Sequence, residues 1–133
     1  MREIKFRGRD DYGNWHYGDL WNSFGNDYVI IENGKTFSVI PETVGQYTGI
    51  KDDNGVEIYE GDIVRIDDRR GNNFFDDYFS AIGKVIKVIW DNGWYVDGGR
   101  IAGVYTASNN EYINVEVIGN IHDTPELLPK NEI

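Results

Sequence analysis

The chain has 133 residues, 40% of them apolar and 14% aromatic, with no cysteine and a formal charge of −10. That length suits one domain with one core, and the absence of cysteine excludes a disulfide framework or a thiolate metal site. Residues 1–66 carry seven basic and twelve acidic side chains and residues 67–133 six and eleven, so each half stands at −5, neither end forms a charged arm, and binding to duplex nucleic acid is not expected.

Sixteen glycines against three prolines point to short strands joined by tight reversals. Residues 1–7 alternate charged with apolar side chains, which predicts a first strand with Ile4 and Phe6 on its buried face, and no secretory signal. Arg2, Lys5, Arg7 and Arg9 gather there, opposed only by Glu3, and read as a solvated strand face. The Asp-Asp-Tyr-Gly-Asn run of residues 10–14 supplies a turn. Trp15, Tyr17 and Leu20 follow as the hairpin partner, and residues 22–26 as a loop.

Strands over 28–32 and 35–40 flank Asn33-Gly34, a pair that tolerates the positive φ of a type I′ turn. Pro41 interrupts the ladder. Residues 44–50 and 56–59 flank a second reversal at Asn54-Gly55, and Glu60-Gly61-Asp62 leads into the apolar strand 63–66 as in small SH3-like barrels. Residues 67–78 are polar and without period around Phe74 and Phe75, so a long loop is expected there. Strands over 82–90 and 94–96 flank a third reversal at Asn92-Gly93, and 101–106 and 112–118 complete the strands. Asp123 followed by Pro125 predicts one short helical turn, stopped by Pro129, and residues 129–133 read as a frayed tail. No segment approaches the ~20 apolar residues of a membrane span, so no membrane association and a cytoplasmic location are expected.

Three of these segments carry a resemblance. They are the opening residues 1–7, the run from Val44-Gly45-Gln46-Tyr47-Thr48-Gly49-Ile50 through Glu57-Ile58-Tyr59-Glu60-Gly61-Asp62-Ile63-Val64, and Glu116-Val117-Ile118-Gly119-Asn120-Ile121 with Pro125-Glu126-Leu127-Leu128. In order and spacing the chain resembles the YopX-like family of phage and prophage proteins. The resemblance implies a mainly β fold, an N-terminal β-hairpin part and a small SH3-like barrel, and it implies no activity. The expected layout is a single domain, with hairpins over 1–43, a barrel-like core over 44–128 and the tail over 129–133. Residues 67–80 and 98–111 look least like the shared pattern.

The residues offer little chemistry. His16 and His122 form no paired ligand motif. The first reads as a partly exposed sheet histidine and the second as a cap on local backbone. Ser23, Ser38, Ser80 and Ser108 lie in no nucleophile elbow. Residues 52–55 lack the ligand spacing of a calcium loop, and Gly98, Gly99 and Gly103 form no phosphate loop. No catalytic, metal-binding or cofactor-binding residue is therefore expected.

Aromatic side chains are in surplus, since nineteen rings exceed what one small domain buries, and strand alternation puts Trp15 and Tyr17 on one face. The candidate interface residues are Phe74, Phe75, Trp15, Tyr17 and Trp21. They point to a non-enzymatic interaction or assembly protein of a phage or prophage, forming a homo-oligomer or binding a host or phage protein. The alternative is an acidic module that imitates nucleic acid and blocks a host nucleic-acid-processing protein. A third reading is a carboxylate-dependent hydrolase.

Overall fold

Asn33 and Gly34 both take positive φ, 51° and 79°, the type I′ geometry whose twist matches that of its flanking strands. In the computed structural model, which describes residues 4–25, 27–68, 84–90, 94–96 and 113–128, this turn closes a tight antiparallel hairpin. Its strands are β3 (Asp27–Glu32) and β4 (Lys35–Val39), preceded by β1 (Phe6–Arg9) and β2 (Trp15–Phe24) and followed by β5 (Gly45–Lys51). The chain divides into two compact units, Met1–Gly49 and Ile50–Ile133.

In the first unit the strand order is β4-β3-β2-β1-β5. The sheet bends so that the end of β4 returns to β1, where the Ile40 N–H donates to the Arg9 carbonyl at 2.8 Å. Gly8 makes room for this return, since a Cβ there would lie 2.8 Å from the Val39 side chain. Pro41 ends the ladder and starts a single 3-10 turn, Pro41–Thr43. The buried Thr43 accepts the Arg9 N–H through its Oγ1 at 2.8 Å and donates the same hydroxyl to the Ile40 carbonyl at 2.6 Å. Val29, Ile30, Val39 and Tyr47 are the buried apolar side chains here.

The second unit contains β6 (Glu57–Tyr59), β7 (Asp62–Asp68), β8 (Lys84–Trp90), β9 (Trp94–Val96) and β10 (Ile113–Asn120). The last four form an antiparallel sheet in the order β10-β7-β8-β9. Ile63 and Val64 are neighbours on opposite faces of β7 and both are fully buried, so β7 is an interior strand. Ile58, Tyr59, Ile66, Val115 and Leu128 are the other buried apolar side chains among the described residues of this unit. The Pro125–Leu127 turn is the predicted C-terminal helical turn, of 3-10 type.

Five sequence expectations are corrected. The described strands are open antiparallel sheets, not a closed barrel. Asn22 to Phe24 belong to β2 and not to the loop expected over 22–26, because a bulge between Asn22 and Phe24 lets the strand keep pairing with β3. Asp67 and Asp68 extend β7, paired with Asn114 and Ile113 of β10, where a loop was expected. Arg7 is buried and not part of a solvated face, because it lies between Tyr17 on β2 and the side-chain-free Gly45 on β5, while Ile4 precedes the strand and is exposed. The predicted Asn92-Gly93 turn, the strand 101–106, the 67–80 loop beyond Asp68 and the tail lie outside the described residues. The strands on either side of Asn92-Gly93 do pair, with Trp90 opposite Trp94.

Candidate functional site

Two turns share one sequence form, Asp-x-x-Gly, and one geometry. In each, the aspartate Oδ1 accepts the N–H groups two and four residues on, at 2.9 Å: Asp10 from Tyr12 and Asn14, and Asp52 from Asn54 and Val56. The glycine, Gly13 or Gly55, closes the loop at φ near 85° (87° and 83°), the left-handed region other residues avoid. Asn54 keeps negative φ, so this second predicted reversal exists but is not of type I′.

The spare oxygens of these turns reach further. Asp52 Oδ2 accepts the Val117 N–H at 2.9 Å and Asp53 Oδ2 the Val115 N–H at 2.6 Å, so the turn caps the outer edge of β10. In the first unit, Asp10 Oδ2 lies 2.8 Å from His16 Nε2, while Glu32 Oε1 lies 3.2 Å from His16 Nδ1. Glu32 Oε2 also accepts the Tyr17 N–H at 3.1 Å. The Phe37 ring stacks on the imidazole at 3.9 Å with 12° between planes.

His16 is only 8% exposed, which corrects the expectation of a partly exposed sheet histidine. Burial by itself lowers its pKa, but the hydrogen bonds and charges of Asp10 and Glu32 outweigh that effect and raise it above 6.5. The Asp10 carboxyl is held down at about 2, first by its bond to His16 and then by the backbone N–H groups it accepts. Only the imidazolium donates to both carboxylates. Both ring nitrogens are thus engaged by carboxylate oxygens. Register arithmetic points towards it, because the β2–β3 ladder pairs Asp19 with Ile31, and one step on sets Glu32 opposite Gly18, two residues along β2 from His16. Ahead of the C-terminal turn, Asn120 Oδ1 accepts the His122 and Asp123 N–H groups at 2.9 Å each.

The outer face of β1 and β2 carries the predicted aromatic residues. Trp15 and Tyr17 do share a face, opposite Arg9 and Arg7 respectively. The Arg7 guanidinium carbon lies 4.7 Å from the Trp15 ring centre and that of Arg9 5.9 Å, while Lys5 Nζ lies 5.5 Å over the Tyr47 ring. Trp15 is therefore half-buried, but Tyr17 is 39% and Trp21 59% exposed. Phe24, at 86%, and Tyr12, at 90%, were not singled out from the sequence. Phe74 and Phe75 lie outside the described residues. Among the described residues no three histidine or carboxylate side chains are placed to hold a metal ion, and no helix is long and apolar enough to cross a membrane.

Comparison with known proteins agrees with the fold. The family model described as YopX protein matches residues 5–129. The crystal structure of protein EF1440 from Enterococcus faecalis is similar with a TM-score of 0.59 at 22% identity, covering 97% of this chain and 100% of that one. No curated protein matches.

Proposed function

The chain belongs to the YopX family, and from that footing we propose that it is a non-enzymatic interaction protein which associates through the outer face of β2. The reading extends to a homo-oligomer, formed in the cytoplasm of a bacterial cell carrying the phage or prophage. One observation carries it: Tyr17 and Trp21 lie two turns of the pleat apart on the same strand, both exposed, beside the Arg7–Trp15 stack. Tryptophan, tyrosine and arginine are the residue types that dominate interface energetics. Covering one such ring contributes about 1.5–3 kcal/mol.

A photo-crosslinking amino acid at position 21 of the purified protein tests this. A discrete covalent dimer is expected at position 21 and none from a control at Thr36 on β4. A protein that remains entirely at its 15.3 kDa chain mass under irradiation defeats the reading. The second reading, an acidic module that imitates nucleic acid, draws on the charge of residues 50–133. That unit carries eight basic and sixteen acidic side chains, −8, against five and seven, −2, in residues 1–49. Such a module competes with DNA for its target, and its affinity falls steeply as salt rises.

A further inference from the structure

The inner side of the β2–β3 pair and the Pro41–Thr43 turn border an open cleft of about 470 Å³ within the first unit. Its lining residues are Leu20, Tyr28, Pro41, Glu42 and Val44. The volume falls in the range of small-ligand sites, roughly 300–1,000 Å³. Leu20 and Tyr28 come together because Leu20 pairs with Ile30 and Asn22 with Tyr28, which makes them diagonal neighbours on one face of the sheet. Pro41 and Val44 extend the apolar wall, and Glu42, exposed on the 3-10 turn, is the one ionic group of the lining among the described residues.

We propose that this cleft is a subsite for an arginine side chain of a basic polypeptide partner. An apolar wall ending in one carboxylate fits a ligand with an aliphatic stem and a cationic head. The stem lies along Leu20, Pro41 and Val44, the planar guanidinium stacks on the Tyr28 ring, and its N–H groups donate to Glu42. A purely apolar occupant would desolvate Glu42 without pairing it. An anionic one is repelled by Glu42 and by the net charge of −10. Arginine fits better than lysine because guanidinium is planar and weakly hydrated. The subsite rests on the interaction role proposed above but uses none of the residues on the Tyr17–Trp21 face.

The test is a titration of the full-length protein with a capped Gly-Arg-Gly peptide, followed through the Leu20 and Val44 methyl and Tyr28 ring resonances. A second titration uses the isosteric, uncharged citrulline peptide. Saturable shifts are expected with arginine, and binding at least threefold weaker with citrulline, in Glu42→Gln and in Tyr28→Leu, the scale of one partly exposed charge or ring contact. Glu126→Gln, the same charge change at an exposed carboxylate of the second unit, leaves the affinity unchanged. Equal binding of the citrulline peptide, or equal effects of Glu42→Gln and Glu126→Gln, overturns the proposal. An absence of saturable shifts in a protein that still crosslinks at position 21 removes the subsite alone. Loss of crosslinking with the titration intact removes the association reading alone.

Discussion

At the scale of single residues, the fold is tied by aspartates that accept several backbone N–H groups each. Asp52 is buried and accepts from Asn54, Val56 and Val117. Asp52→Ala leaves those donors without their acceptor, and each bond to a charged group is worth about 1.5–3 kcal/mol. A loss of about 3 kcal/mol or more in urea denaturation is expected, and a loss under 1 kcal/mol would show that water replaces the carboxylate. His16 yields a prediction with a sign. Its folded pKa is raised above 6.5, so its contribution is complete below the unfolded value and fades as pH rises through the folded one. Asp10 has the opposite form, with a pKa lowered from 3.8 to about 2. Its contribution is complete above 3.8 and is lost as pH falls towards 2. The cluster therefore favours the folded state most between about pH 4 and 6.5, and His16→Gln flattens the alkaline fall. Denaturation of both proteins at pH 5.5 and 8.5 measures it, and equal pH slopes in the two would remove His16 as the cause. None of this cluster was legible residue by residue, because Asp10, His16 and Glu32 come from a turn and two strands that only the ladder brings together.

At the scale of elements, the turns were the readable part. Asn33-Gly34 folds as its chemistry dictates, and Gly34→Ala at φ 79° is expected to cost about 1–2 kcal/mol, checked by thermal unfolding. A smaller loss there would mean that the turn relaxes to a wider form. Asn54-Gly55 was legible as a reversal, but its type was not, because Asp52 converts it into an aspartate-anchored loop. The true end of β2 was hidden by Asn22 and Gly25, which look like loop residues, although a bulge keeps the strand paired through Phe24. The expected barrel failed for a similar reason: the outer edge of β10 is capped by Asp52 and Asp53 instead of by another strand. Side-chain acceptors at an edge leave no trace in period-two patterning.

At the scale of the whole molecule, charge is unequal in a way that a division at residue 66 concealed. The structural boundary after Gly49 separates −2 from −8. Duplex DNA is therefore expected not to bind at physiological salt, since Arg7 and Arg9 already lie over Trp15 and Lys5 over Tyr47. A micromolar, salt-sensitive affinity for random duplex would overturn that expectation. The exposed aromatic face has no counterpart in the composition, which announced surplus rings without saying which ones face outward. Sedimentation velocity over a hundredfold range of concentration, on the wild type and on Trp21→Ser, tests the central claim most directly. The account predicts a wild-type mass that rises above 15.3 kDa with concentration and a folded Trp21→Ser protein that stays at that value. A wild type that remains at 15.3 kDa throughout, or a variant that associates equally well, would contradict it.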